Sequence, residues 1–404
     1  MKATKLRKCG VIGIGAVIVI VALICSVYAS EKTFGRDTWP IGTIVPMTGP
    51  GAVYGKYMTY GQQLAIDEIN ASEEFPFKFK LIIEDHKTGD VKAGISAARK
   101  FIDVYDMPWI NPSWANVVVA INPICAERKV VQFSGGGADP KQLNKPYLHN
   151  SRPRNDQFIY PMLRYMKEEQ NVKRIAIMHN VTPAGVSMRN ASYWLSKDLG
   201  VEVACIIGFE EGATDYRSGV AKIRAAKPDG VWIGTWCEDV GYIAKQLREM
   251  KVNVPLGGGC GIPKEAVPIA GDAMEGMHVC IEHFDLEAKL PWTQAFVRNY
   301  RERFKEDPTN SSANYYEAIY ILKDCLKHVM AKGKDPWNGE ELEKAIQEIR
   351  VFKSLYGDGR MELTPDGGCK RPLAIFRFNF SKNEWKPIKA IEPIPSRTYP
   401  DPTD

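Results

Sequence analysis

The sequence predicts an α/β protein made of two doubly wound units, each a parallel sheet with helices on both faces. Short apolar segments alternate with longer amphipathic segments along most of the chain, and this alternation starts again after residue 150. The chain has 404 residues, which is too long for one compact hydrophobic core. Together these observations favour two domains of similar architecture.

The first unit is predicted from a series of strands that are each followed by a turn and, in most cases, a helix. The run 41–45 is apolar throughout, as in a buried strand, and in the segment 56–70 Gly61, Leu64 and Ile69 fall on one helical face. The expected strands are 41–45, 79–84, 108–111 and 130–134, and the expected helices are 56–70, 92–104 and 115–127.

The Gly/Pro-rich turn between the first strand and the first helix, residues 45–55, is a candidate ligand site. In an open α/β sheet, ligands bind beyond the carboxyl ends of the strands, which is where Thr48 and Tyr54 are expected. Glycines allow backbone N–H groups to face a small ligand. The alternative is an ordinary connection without a binding role.

The second unit repeats the alternation, and a helical region follows it. Its expected strands are 174–179, 201–209, 231–235, 254–256 and 277–281, and its expected helices are 157–168, 187–199, 216–226 and 239–250. Further helices are expected at 292–304, 313–330 and 338–349, where the aromatic stripe of the first favours core packing. Residues 373–380 alternate like an edge-type strand, and the Pro-rich tail 393–404 is expected to be disordered or laid on the surface.

Residues 1–29 are expected to be a secretory signal peptide. Four cations between Lys2 and Lys8 precede an apolar run, and small residues at positions 27 and 29 favour cleavage after Ala29. The protein is therefore expected in the periplasm, although the run is also long enough to be an uncleaved membrane anchor. Without the four cations, the formal net charge of +5 falls to about +1, which predicts no nucleic-acid partner.

Metal, disulfide and catalytic signatures are all weak. The cysteines after residue 29 are odd in number and lack CxxC spacing, although Cys237 and Cys260 are both expected in cleft loops and could pair. The histidines are scattered, so neither a metal nor another cofactor is expected. No GxSxG, SxxK or phosphate-binding loop is present, and no histidine lies near the Gly-rich turn after Ser134. Ligand binding is thus favoured over catalysis.

Several short segments share their order and spacing with one known family. They are Thr48-Gly49-Pro50 with Tyr54-Gly55, 61–70, 174–179, 213–216, 269–272 with 275–277, and 313–326. From about residue 41 to residue 380, the chain resembles the type I periplasmic substrate-binding proteins of ABC transporters, in the branch of the leucine/isoleucine/valine receptor.

The resemblance implies two lobes joined by a three-stranded hinge, with the ligand trapped in the cleft when the hinge closes. It assigns residues 30–151 and 283–370 to lobe 1, and residues 152–282 and 371–404 to lobe 2. It also implies a membrane permease and cytoplasmic ATPase subunits as partners, and a monomeric receptor is expected. A ligand-sensing receptor of the same fold is the alternative.

In the amino-acid receptors of this family, lobe 1 holds the ligand carboxylate through two turns, which correspond here to residues 112–116 and 134–137. The candidate residues in these turns are Ser113, Trp114, Ala115, Asn116, Ser134, Gly135, Gly136 and Gly137. The glycines leave no side-chain hydroxyl where a threonine is usual. Binding is therefore expected to use backbone amides, the helix that starts near Ala115, and Asn116.

Lobe 2 departs further from the family pattern. Trp236 matches an aromatic ligand contact, Ala184 replaces a frequent tyrosine, and Gly259 stands where an acid pairs with the ligand ammonium. Glu238 or Asp239 could supply that acid from the neighbouring loop.

Tyr54, Trp114 and Trp236 suit an apolar or aromatic ligand, although both tryptophans could instead pack between the lobes. A branched-chain or related amino acid is the family default. Because Gly259 cannot neutralise an ammonium group, a carboxylate without an amine is expected to bind more tightly.

Overall fold

The structure, a computed structural model, describes residues 36–236, 238–258 and 261–402. The expected signal peptide, Gly259 and the expected pair Cys237 and Cys260 lie outside these ranges. Within them, no helix is both long and apolar enough to cross a membrane. Five described cysteines are free thiols: Cys125, Cys205, Cys280, Cys325 and Cys369.

Lobe 1 is organised around a five-stranded parallel sheet. Its elements in chain order are β1 (Thr38–Val45), α1 (Ala52–Ser72), β2 (Lys78–Asp85), α2 (Val91–Arg99), β3 (Trp109–Pro112), α3 (Ala115–Glu127), β4 (Val131–Ser134) and β5 (Leu148–Asn150). The strand order is β2-β1-β3-β4-β5, so the chain runs outward in both directions from β1. The loops after β1 and β3 therefore lie side by side at the carboxyl edge of the sheet.

Lobe 2 repeats this arrangement. Its elements are α4 (Asn155–Gln170), β6 (Arg174–Asn180), α5 (Pro183–Asp198), β7 (Glu202–Phe209), α6 (Arg217–Ala226), β8 (Gly230–Gly234), α7 (Asp239–Glu249), β9 (Leu256–Gly258), α8 (Ala266–Ala270) and β10 (His278–Glu282). β6 to β10 pair in parallel, which is the doubly wound sheet that the alternating pattern predicted.

The last third of the chain is shared between the lobes. Its elements are α9 (Pro291–Phe304), α10 (Asn310–Ala331), α11 (Gly339–Ile349), β11 (Val351–Lys353), β12 (Arg360–Leu363), β13 (Cys369–Lys370), β14 (Leu373–Asn379) and β15 (Glu384–Ile391). The three helices pack on lobe 1, and β11 to β13 form a small separate sheet. β14 and β15 join the lobe 2 sheet, whose order is β15-β14-β10-β9-β8-β6-β7.

The expectation that residues 373–380 form an edge strand was wrong. β14 lies inside the sheet, antiparallel to both β10 and β15. β15 gave no sequence signal because six of its eight residues are exposed, so it lacks an apolar face. The hairpin completes lobe 2 with the only antiparallel pairs in the described part of that sheet.

The chain passes between the lobes three times, and each passage carries a charged side chain that is buried or partly buried. Arg152 lies between β5 and α4, Glu282 ends β10, and Arg371 lies between β13 and β14. Arg152 Nε is 2.9 Å from Glu282 Oε1, whereas Arg371 pairs with Glu317 of α10. One of these ion pairs thus joins two crossings, and the other joins the third crossing to α10.

The tail after β15 lies on the surface of lobe 2, one of the two expected outcomes. Asp156 at the start of α4 accepts hydrogen bonds from Ser396 Oγ at 2.7 Å and from the Arg397 backbone N–H at 2.8 Å. Farther along, Trp194 Nε1 donates to the carbonyl of Pro400 at 3.0 Å. These contacts hold the tail across α4 and α5.

Candidate functional site

A cavity of about 910 Å³ lies between the two lobes. From lobe 1 it is lined by the start of α1 and by the turns that follow β3 and β4, and from lobe 2 by the turns after β6, β8 and β9. The expected site residues that line it are Tyr54, Trp114, Ala115, Gly135, Gly136, Gly137, Ala184 and Trp236. The structure therefore brings together, in one cavity, most of the site residues that were expected at the carboxyl edges of the two predicted sheets.

Three aromatic side chains connect the walls of the cavity. The rings of Tyr54 and Trp114 are 6.0 Å apart and those of Trp114 and Trp236 are 6.5 Å apart, both edge to face. The Tyr54 hydroxyl also donates a hydrogen bond to the carbonyl of Trp236 across the cleft. Both tryptophans are mostly buried, with 9 % exposure each, and both line the cavity as well as contacting each other. This cluster offers apolar faces to a bound ligand.

Ala115 and the Gly135–Gly137 turn form a surface without side-chain hydroxyls. α3 begins at Ala115 with no side-chain cap, so the first amides of this helix suit an anion. A Cβ atom on Gly137 would lie 3.1 Å from the Ala115 backbone nitrogen, and one on Gly136 would lie 2.8 Å from Met58 Cε. Glycine is therefore favoured here because the turn after β4 lies close both to the turn after β3 and to Met58 of α1.

Three of the expected lobe 1 residues do not line the cavity, which corrects the sequence-based assignment. Ser113 is fully buried, and its hydroxyl is 2.8 Å from His86 Nε2. Asn116 Nδ2 donates to the carbonyl of Gly89 at 2.7 Å. Ser134 Oγ faces the amides of its own turn at 3.3 and 3.4 Å. These side chains stabilise the turns without lining the cavity.

The turn after β1 also differs from its expected role. Thr48 Oγ1 donates to Asp85 Oδ2 at 2.6 Å, and the Gly51 amide donates to Thr88 Oγ1 at 3.0 Å. Burial alone would raise the pKa of Asp85, but hydrogen bonds from Thr48 and from nearby backbone amides outweigh it and lower that pKa. This turn is held to the loop after β2, and of its expected ligand contacts only Tyr54 reaches the cavity.

Neither proposed substitute for the missing lobe 2 acid faces the cavity. Glu238 is exposed at the start of α7. Asp239 is buried, which raises the pKa of its carboxyl, and it accepts hydrogen bonds from Tyr216, Thr235 and the Gly212 amide. The Asp239 carboxylate therefore has a structural role.

An ion pair that the sequence did not predict also lines the cavity, Arg152 with Glu282. Glu282 is 1 % exposed, and its Oε2 atom has no hydrogen-bond partner among the described residues. Asn310 at the start of α10 donates to the Glu282 carbonyl at 2.7 Å. Both charged residues lie at predicted hinge crossings, and that position was the available signal.

Two lobes around a shared cavity define a hinged ligand-binding protein. Residues 38–384 match the family model of the periplasmic binding proteins, and this chain belongs to that family. Its substrate-binding members serve transporters as receptors.

Named relatives and solved structures agree with this assignment. The chain is 26 % identical over 337 residues to the Leu/Ile/Val-binding protein homolog 1 of Brucella suis, which covers 82 % of this chain and 88 % of the relative. A crystal structure of a leucine-binding protein from Thermotoga maritima superposes with a TM-score of 0.78 at 20 % identity, over 88 % of this chain and 99 % of the other. A solute-binding protein of Rhodopseudomonas palustris in complex with 3,4-dihydroxybenzoic acid gives 0.74 at 18 % identity, over 91 % and 99 %.

Proposed function

We propose that this protein is an extracytoplasmic receptor that captures a small carboxylate-bearing ligand between its lobes and delivers it unchanged to the permease of an ABC importer. The aromatic cluster of Tyr54, Trp114 and Trp236, which joins both walls of the cavity, carries the proposal. Membership of the periplasmic binding protein family supports it. The proposed receptor is a monomer, and residues 1–29 direct its export.

The ligand carboxylate is proposed to bind at the start of α3. The amides there have no side-chain cap, and the helix dipole favours negative charge at this end. The neighbouring Gly136 and Gly137 amides contact Ser134 Oγ at 3.4 and 3.3 Å, and a carboxylate oxygen can compete with such long contacts. The first-lobe site thus relies on backbone donors.

The first candidate ligand is an amino acid whose ammonium group pairs with Glu282. The Oε2 atom of Glu282 is a buried acceptor in the cavity wall and has no partner among the described residues. An unpaired buried acceptor of this kind is destabilising. An ammonium group would satisfy this atom, while Arg152 continues to hold Oε1. Several relatives are named as Leu/Ile/Val-binding proteins, which agrees with this candidate.

The second candidate is an aromatic carboxylate without an amine, which the sequence favoured. The Asp239 carboxylate supports this candidate because it accepts a hydrogen bond from Tyr216 and does not line the cavity, so it does not pair with a ligand ammonium group. The aromatic lining around Trp114 and Trp236 supports it as well. A similar Rhodopseudomonas palustris protein was solved in complex with 3,4-dihydroxybenzoic acid, which belongs to this chemical class.

A thermal-shift screen over amino acids and organic acids tests the receptor function. A ligand at 100 times its dissociation constant stabilises the folded state by about 2.7 kcal/mol, which such a screen detects. The proposal fails if no compound in either class raises the melting temperature, or if any bound compound is chemically converted.

Calorimetry then distinguishes the two candidates. We expect leucine to bind more tightly than 4-methylpentanoate, and phenylalanine more tightly than phenylpropanoate. Glu282→Gln should remove this preference because it keeps an acceptor for Arg152 but removes the negative charge. Glu287→Gln, an exposed position in the segment after β10, is the matched control and should keep the preference. Tighter binding of the carboxylates without an amine identifies the second candidate.

A further inference from the structure

A second cavity, of about 610 Å³, lies at the hinge but apart from the ligand cleft. Its walls come from the start of α4, from residues 357–372 around β12 and β13, and from the tail at 392–396. No expected ligand-binding residue lines it. The cavity therefore has no role in the proposed capture of the transported ligand.

The guanidinium group of Arg154 is buried in the wall of this second cavity. Arg154 is only 1 % exposed, and its guanidinium contacts two backbone carbonyls, those of Arg152 at 3.4 Å and Gly367 at 3.2 Å. Its Nε atom has no partner among the residues that the structure describes. A buried cation that is held only by carbonyl oxygens lacks a counter-charge.

The acids near Arg154 are already occupied. Burial lowers the pKa of this guanidinium, and the charges of Asp366, Asp156 and Asp139 oppose that shift only in part. Asp366 accepts hydrogen bonds from Thr364 and the Gly368 amide, while Asp156 holds the tail. These carboxylates are oriented by other donors, so they do not provide a direct partner for Arg154.

A second guanidinium, that of Arg360, lines the same cavity from β12. It is exposed, and it forms no ion pair within the described ranges. The other two cations of the cavity are matched, Lys370 by Glu362 at 2.8 Å and Arg371 by Glu317. Asp358 and Glu392 also line the cavity, and Asp358 accepts from the Arg360 backbone N–H at 3.2 Å.

We propose that the second cavity is a binding site for a small carboxylate or oxyanion, held by the guanidinium of Arg154 and reached by that of Arg360. Planar guanidinium groups bind such anions through paired N–H donors, and a dry environment strengthens these bonds. Arg154 immediately precedes the first helix of lobe 2, whereas Arg360 lies in the small sheet packed on lobe 1. The bound anion would therefore link the two lobes at the hinge.

Calorimetric titration of the full-length protein without a cleft ligand tests the site. Sodium sulfate, sodium phosphate and sodium acetate are titrated separately at pH 7, with sodium chloride holding the ionic strength constant. We expect saturable binding of one anion per chain for at least one of the three. Acetate alone would identify a carboxylate site, and sulfate or phosphate an oxyanion site.

Matched variants assign the signal to this cavity. Arg360→Gln should weaken the binding at least tenfold, and it should fold because the side chain is exposed. Arg154→Gln should abolish binding. Arg298→Gln, which removes an exposed arginine of α9 away from both cavities, should leave the affinity unchanged. The proposal is overturned if no anion binds saturably, or if Arg360→Gln binds as tightly as the unmodified protein. Neither result depends on which ligand the cleft prefers.

Discussion

His86 links the loop after β2 to the wall of the cleft. Its ring lies 5.4 Å from that of Trp114, its Nε2 atom is 2.8 Å from Ser113 Oγ, and its Nδ1 atom accepts from the Gly89 amide at 2.9 Å. Burial lowers the pKa of His86 to about 4, against the weaker opposing effects of its backbone contacts and of Asp85 and Asp90. The neutral ring therefore packs against Trp114 and helps to hold it in the wall of the cleft.

We expect acid to destabilise the protein through this histidine. The pKa of His86 is lower in the folded state than its ordinary value of 6.5, so its contribution is fully present above pH 6.5 and is lost as the pH falls towards 4. Between pH 7 and pH 5, the free energy of unfolding should decrease by about 2 kcal/mol more in the unmodified protein than in His86→Asn. Urea unfolding at both pH values measures the difference. Equal decreases in both proteins would contradict the assignment.

Only some of the residues at the site could be predicted from the sequence alone. Tyr54 and Trp236 were predicted to face the cleft because each follows a predicted strand and matches a family position, and both line the cavity. Ser113 was misassigned because its direction is set by His86, which lies 27 residues away in the chain. The pairing of Arg152 with Glu282 joins positions 130 residues apart, and no local pattern encodes such a contact.

At the scale of the elements, α1 and α10 pack so closely that a glycine is required between them. A Cβ atom on Gly61 would lie 2.0 Å from the Ser312 carbonyl oxygen, far inside any allowed contact. The sequence placed Gly61 on the buried face of a helix, but it did not indicate that another backbone lies against it. Long periodic helices such as α1 and α10 were predictable, whereas the short strands β11 to β13 lack enough residues to show a pattern.

Replacing Gly61 by alanine should separate α1 from α10. The two backbones must move apart to admit the methyl group, and overpacking of this kind costs about 1–3 kcal/mol. Urea denaturation of Gly61→Ala should show that loss, while Ala71→Ser, at an exposed position in the same helix, should be nearly neutral. Unchanged stability of Gly61→Ala would mean that the helices pack less closely than described.

Across the whole molecule, the lobes meet through a small number of polar contacts. The Tyr54 hydroxyl bonds the Trp236 carbonyl, and Lys264 of lobe 2 lies 3.3 Å from Glu306 of lobe 1. The Lys264 pair is largely exposed on its lysine side, and exposed pairs of this kind contribute about 0–1 kcal/mol. Such a weak contact area suits lobes that open and close about the three crossings.

We expect ligand binding to shift the molecule towards a more compact form. Small-angle scattering of the protein with and without a saturating ligand from the thermal-shift screen measures this change as a smaller radius of gyration. A compound that gives no thermal shift is the matched control and should leave the curve unaltered. Identical curves with the true ligand would exclude a hinge that closes on binding.

The three crossings also determine when each lobe can finish folding during synthesis. A chain that has emerged only to residue 290 contains both parallel sheets, but it lacks the helices α9 to α11 that cover lobe 1 and the hairpin β14–β15 that completes lobe 2. Contacts between such distant segments slow folding. Lobe 1 is therefore completed only after both sheets have been made, and lobe 2 is completed last of all, so a nascent chain stays incompletely folded for most of its translation. If residues 1–29 direct export, as proposed, that delay would keep the polypeptide in an unfolded state that an export channel can accept.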